Sequence, residues 1–166
     1  PRISQAGTER GTEMVDKRYW LMKSEPSAYS FDDLKRDGDS EWDGVRNYQA
    51  RNNMQAMKKG DAILFYHSQS KPNVIVGTAV VVNEAYPDYT AWDPNSDHPD
   101  PKSTPEKPIW YMVDIRAEEE FLHPVTLQEV KSNPALSNMV LVKTSRLSVQ
   151  PVNSDEWDII IQMGRA

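Results

Sequence analysis

Trp42-Asp43-Gly44-Val45-Arg46-Asn47-Tyr48-Gln49-Ala50-Arg51-Asn52 is an unbroken polar and aromatic run between two apolar segments. Upstream lies Tyr19-Trp20-Leu21-Met22-Lys23-Ser24-Glu25-Pro26, an apolar segment that ends abruptly in charged and hydroxyl groups. Downstream lies Asp61-Ala62-Ile63-Leu64-Phe65-Tyr66-His67-Ser68, which ends the same way. Two apolar strands that finish in Lys-Ser-Glu and His-Ser imply polar groups gathered at one mouth of a small sheet or barrel. A tryptophan and an Arg/Asn-bearing helix would sit beside that mouth, as suits a pocket for a flat, hydrogen-bonding ligand.

Periodicity extends this outward. From Asn47 to Met57, the apolar residues Ala50, Met54 and Met57 fall at i, i+4 and i+7, which predicts a helix, with Gly60 as its C-terminal cap. Residues 62–66 form a continuous apolar run, as expected of a strand buried on both faces. Residues 19–23 make another strand, stopped by Pro26. Ser30 caps a short helix through Lys35, with Asp33 completing the box, and Asp37 to Ser40 is a turn. Val74 to Val82 is β-branched around Gly77, which marks a bulge or bend. Tyr86 to Pro108, rich in Pro, Asp, Asn and Ser, reads as a long surface loop. Ile109 to Arg116 alternates as a strand, and Thr126 with Glu129 opens a helix over 126–132. Val140–Val142 and Leu147–Val149 read as short strands, and residues 154–163 as a closing helix with Asp155 and Glu156 at its positive end. The expected class is α+β: a small, mostly antiparallel β-barrel of about five or six strands with short helices around it. Residues 17–166 are read as one domain and residues 1–16 as a polar, unpatterned extension.

The chain has 166 residues, 38% hydrophobic, and a formal net charge of -6, which opposes tight non-specific binding to phosphate. A nucleic-acid reader with this charge must rely on a base pocket or a local basic patch. Cysteine is absent, which excludes disulfides, thiol catalysis and Cys-based zinc sites. Asp93-x-Asn95-x-Asp97 has the opening spacing of a calcium loop, but His98 replaces the required glycine and Thr104 the bidentate acid. His67, His98 and His123 lack zinc spacing, no serine sits in a Gly-x-Ser-x-Gly elbow, and no phosphate-cradling glycine loop occurs. Neither a cofactor nor a metal is expected.

Lys23-Ser24-Glu25 could be a strand end meeting water, Trp42 a core anchor under a turn, and Arg51 an ordinary ion pair with Asp43 or Glu25. Their common position beside the two polar strand ends favours a pocket instead. A ring to stack a base, with hydroxyl, amide and backbone groups to read its edge, is how single nucleotides are recognised outside a duplex.

These segments, with Glu84-Ala85-Tyr86-Pro87-Asp88 and Arg146-Leu147-Ser148-Val149-Gln150-Pro151, resemble the EVE domain family in order from about residue 18 to 164. The resemblance implies a PUA-like barrel, related to the ASCH and YTH domains, and non-catalytic reading of a modified base such as 5-methylcytosine or its oxidised forms in DNA, or binding of RNA. By the same resemblance, Trp42 is a wall of the base cage, with Tyr86 the candidate second wall. Lys23, Ser24 and Glu25 are the edge-reading strand end. Val45, Asn47, Tyr48, Arg51 and Asn52 line the pocket or hold its loop, His67 and Ser68 complete the rim, and Arg146 contacts a phosphate. The expected partner is nucleic acid bound by a monomer, with no membrane. The expected location is intracellular, cytoplasmic in a bacterium or nuclear in a eukaryote. Two other readings stand beside it: a binder or enzyme of a nucleotide-like metabolite using Glu25, Lys23 or His67, and a protein-interaction module using the 86–108 loop.

Overall fold

The computed structural model describes residues 17–166, so the extension expected over 1–16 lies outside the described residues. The strands are β1 (Tyr19–Ser24), β2 (Asp39–Glu41), β3 (Ala62–His67), β4 (Val74–Pro87), β5 (Tyr111–Thr126) and β6 (Val149–Val152). The helices are α1 (Phe31–Asp37), α2 (Tyr48–Ala56), α3 (Leu127–Ser132), α4 (Val140–Lys143) and α5 (Ser154–Arg165), with 3-10 turns at Tyr89–Trp92 and Pro134–Leu136. The strands form one sheet in the order β2-β5-β4-β3-β1-β6. Every pair is antiparallel except β1 with β3. The α+β, mostly antiparallel architecture is the expected one. It is barrel-like but not closed, since β2 and β6 are edges that do not pair with each other.

Alternation along the central strands divides the interior in two. Trp20, Met22, Ile63 and Phe65 face one core with Phe31 and Leu34 of α1 and Ala50 and Met54 of α2. Leu21, Leu64 and Tyr66 face the other with Val130 of α3, Leu141 of α4 and Ile160 of α5. Both faces of β1 and β3 are therefore covered, which is why these strands read as continuous apolar runs. Gly77 lies at the β4 irregularity, where an added Cβ would come 2.3 Å from the Glu119 carbonyl and 2.8 Å from the Phe31 ring.

Capping boxes form at Ser30 with Asp33 and at Thr126 with Glu129, as the sequence predicts, and a third at Asn153 with Glu156 starts α5. Other expectations need correction. Val140–Val142 is helical: one turn lets Val140 pack on the first core while Leu141 and Val142 reach the second, which overrides the strand preference of valine. The strand expected at Leu147–Val149 lies at Val149–Val152, and Pro151 is tolerated because β6 is an edge. Met57, not Gly60, caps α2; Gly60 takes φ +94° in the turn that leads to β3. Asp39 and Ser40, read as part of a turn, belong to β2, which pairs with β5. The supposed loop from Tyr86 begins only at Asp88, because β4 and β5 stay paired as far as Pro87 and Tyr111. Among the described residues, no helix is long and apolar enough to cross a membrane.

Candidate functional site

Parallel pairing of β1 with β3 sets Lys23 opposite Tyr66 and Ser24 opposite His67, so the two polar strand ends do meet. Beyond them the Ser68 N–H donates to the Ser24 carbonyl at 2.9 Å. Across from this pair runs the segment that follows β2, anchored by the Trp42 N–H on the Val113 carbonyl at 2.8 Å. Between them lies a cleft of about 1170 Å³. Lys23, Ser24, Glu25, Trp42, Val45, Ser68 and Arg146 all line it, as do Tyr29, Asp43, Gly44, Arg46, Tyr66 and His98.

Trp42 is half-buried and fixed by edge contacts, to Phe65 at 5.6 Å between ring centroids and to Tyr29 at 6.0 Å. It thus packs on the first core and also faces the cleft. The Ser24 hydroxyl donates to the Tyr29 carbonyl, so it has only lone pairs to offer a ligand. The Lys23 ammonium donates to the Ser145 carbonyl and lies 5.5 Å from the centre of the Tyr66 ring. Burial lowers its pKa from the ordinary lysine value. Burial likewise raises the Asp43 carboxyl, against the attraction of His98. Arg146 is exposed at the rim and makes no ion pair among the described residues.

One wall is a latch. The Arg46 guanidinium donates to Asp88 Oδ2 at 3.0 Å and to the His98 carbonyl at 2.8 Å. Asp88 is fully buried and also accepts from the Gly44 N–H at 2.9 Å and from Thr90. Burial opposes ionisation of Asp88, but hydrogen bonds from Thr90, Gly44 and Arg46 outweigh it and hold the carboxyl below its ordinary value. Arg46 also reaches His98 Nδ1 at 3.2 Å, and a guanidinium only donates. Thr90 Oγ1, whose proton goes to Asp88, lies 3.1 Å from the same nitrogen, and His98 Nε2 lies 3.8 Å from Asp43 Oδ2. The ring packs over Gly44, where φ is +83° and a Cβ would meet it at 2.8 Å.

The remaining expected site residues lie outside the cleft lining. Asn47 caps α2 through the Ala50 N–H. Arg51 donates to the Ile109 carbonyl at 3.0 Å and to Asn52 Oδ1 at 2.8 Å, not to Asp43 or Glu25. Tyr48 leans on Trp110 at 4.9 Å between centroids. His67 Nε2 accepts the Phe31 N–H at 3.1 Å on the side of β3 opposite to Tyr66 and Ser68. The Tyr86 hydroxyl donates to Asp114, and burial together with that carboxylate raises its pKa far above the ordinary phenol value.

A family model, the EVE domain, matches residues 18–163 of this sequence and so spans both strand ends and the latch. The chain belongs to the EVE domain family. It is 40% identical to human thymocyte nuclear protein 1, over 87% of this chain and 73% of that protein. Its fold superposes on a hypothetical protein from Leishmania major with a TM-score of 0.87 at 50% identity, covering 90% of this chain and 95% of that one. A human THYN1 structure in complex with 5-methylcytosine-containing DNA superposes with a TM-score of 0.86 at 39% identity, covering 90% and 99%.

In this EVE domain the sequence reading passed over Asp43, Arg46, Tyr66 and His98 as cleft residues. Asp43 and Arg46 stand inside the run quoted first, but a linear pattern does not say which of its polar side chains turn inward. His98 drew attention only as the residue that spoils a calcium loop and as one of three histidines without zinc spacing, and no periodicity links it to Gly44.

Proposed function

We propose that this EVE domain binds a modified base in nucleic acid, 5-methylcytosine or an oxidised form in DNA, without catalysing its conversion. The observation that carries this reading is the cleft itself: a fixed tryptophan beside hydrogen-bonding groups of both kinds. Trp42 would stack the base, which is worth about 1–3 kcal/mol. Cytosine presents an exocyclic amine as donor and ring acceptors beside it. Ser24 Oγ, Glu25 and Asp43 are acceptors suited to the amine, and the His98 ring and backbone amides would serve the ring acceptors. Val45 supplies apolar lining. Lys23, Ser68 and Arg146, which line the cleft, would meet the sugar-phosphate, with Lys23 and Arg146 as its cations. Asn47, Asn52, His67 and Tyr86 would act by holding the elements that carry the cleft. At about 1170 Å³ the cleft exceeds the usual size of a single-metabolite pocket, so it accommodates a nucleotide together with its backbone. The DNA complex of THYN1, a relative so close in fold, supports the same reading.

The test is a titration with short oligonucleotides carrying cytosine, 5-methylcytosine, 5-hydroxymethylcytosine or N6-methyladenine, single- and double-stranded, at two salt concentrations. The expected result is preference for a modified cytosine that persists at the higher salt and disappears in Trp42→Ala. Thermal unfolding of that variant separates loss of the ring's stacking from loss of the fold. Binding that ignores the modification and vanishes with salt would overturn the proposal.

A further inference from the structure

Tyr48 is 59% exposed although it belongs to one of the most aromatic parts of the molecule. One face of its ring lies on Trp110, with centroids 4.9 Å apart and planes inclined by 31°. Trp110 is itself buried and held by its indole N–H on Asp100 Oδ2 at 2.7 Å, so the support beneath Tyr48 is rigid. The Arg51 guanidinium is 5.0 Å from the Tyr48 centroid and 6.0 Å from that of Trp110. With one face against Trp110, an exposure of this size leaves much of the rest of the Tyr48 ring to solvent, next to the guanidinium.

The position of this ring relative to the cleft is fixed by chain and by contact. Tyr48 follows Arg46 by two residues, and Arg46, which lines the cleft, lies 5.7 Å from the centre of the same Trp110 ring. An exposed aromatic ring on a rigid base, with a cation beside it and the cleft next along the chain, matches how single-stranded nucleic acid is bound: bases stack on rings while cations follow the backbone.

We infer that Tyr48 is a stacking platform for the nucleobase adjacent to the one held in the cleft, with Arg51 facing the intervening phosphate. This assigns Tyr48 and Arg51 to a second site outside the cleft, and it rests on the base-binding reading above. The ligand class is a single-stranded or locally opened strand. Recognition at Tyr48 is indifferent to base identity, because every base has a face to stack and no hydrogen bond reads its edge.

The experiment uses two single-stranded five-nucleotide DNAs with a central 5-methylcytosine, one with normal neighbours and one with abasic sites on both sides. The phosphates are the same in both, so only stacking of the flanks differs. Wild-type protein is expected to bind the abasic-flanked strand about 5- to 150-fold more weakly. In Tyr48→Ala the two strands should bind alike, at the wild-type affinity for the abasic-flanked one, and Tyr48→Trp should restore the preference. Equal binding of both strands by wild type would overturn the platform and leave the cleft reading standing. So would a preference retained in Tyr48→Ala. Weaker binding of the abasic-flanked strand by Tyr48→Ala than by wild type would overturn it too, because Tyr48 would then be holding the cleft. Failure of wild type to bind either strand would overturn the cleft reading and the platform with it.

Discussion

Arg46 and Asp88, which lie 42 positions apart in sequence, meet as an ion pair of 3.0 Å whose carboxylate has no solvent exposure. Through the same guanidinium and the same carboxylate, the chain after β4 is fixed to the segment after β2. One wall of the cleft is therefore as firm as this pair. Removing the cation strands a buried negative charge, which desolvation makes far more costly than a broken surface bridge. Arg46→Ala should destabilise the protein by about 3–5 kcal/mol, and limited proteolysis should show new cleavage between residues 88 and 103. Unchanged denaturant unfolding would mean that the Gly44 and Thr90 donors suffice to satisfy Asp88.

Gly44 carries two constraints that can be separated. Its positive φ costs an alanine about 1–2 kcal/mol, and the added Cβ would press on the His98 ring at 2.8 Å. Gly38 has a similar φ of +76° but nothing within 4 Å. Both alanine variants should lose a few degrees in Tm. Only Gly44→Ala should also weaken oligonucleotide binding, since only there must His98 move. Equal affinities in the two variants would remove His98 from the site.

His67 predicts a pH dependence of stability. Burial lowers its pKa below the ordinary histidine value, and Nε2 must stay unprotonated to accept the Phe31 N–H. The unfolded chain then takes up a proton first as pH falls. The contribution of His67 is fully present above about pH 6.5 and is lost as pH falls from there through the lower folded-state value. Thermal unfolding at pH 7.5 and 5.5 should show a larger drop in Tm for wild type than for His67→Gln. Parallel drops would show that the ring titrates alike folded and unfolded.

Arg146 tests where the phosphate runs. The residue is exposed at the cleft rim. Arg146→Ala should weaken binding of modified and unmodified strands alike and lower the slope of log affinity against log salt by about one. A change confined to the modified strand would instead make Arg146 a base reader.

Local rules reached the elements but not the way they meet. Capping boxes at Ser30 and Thr126 were legible because they depend on residues three apart. The double burial of β3 was legible because a strand covered on both faces must be apolar throughout. Val140–Val142 misled because valine's strand preference is weak beside the need to reach two cores from one turn. Within the site, the strand ends and Trp42 could be read because they are abrupt changes along the sequence. Arg51, Tyr48 and His67 could not be placed, since their positions depend on Ile109, Trp110 and Phe31, which no periodicity connects to them.

The family, the α+β class, the apolar strands and their polar ends are all written along the chain. Those properties follow from local composition and alternation, which the backbone imposes wherever the chain goes. Which polar side chains enter the cleft, and which support it from outside, is set by contacts between segments far apart in the chain. Parallel pairing of β1 with β3 chose Lys23, Ser24 and Ser68. The Arg46–Asp88 contact brought Asp43 and His98 together, and Trp110 turned Tyr48 outward. Each is a long-range contact, fixed by the need to satisfy a buried charge or cover a buried ring, and sequence spacing carries no record of it.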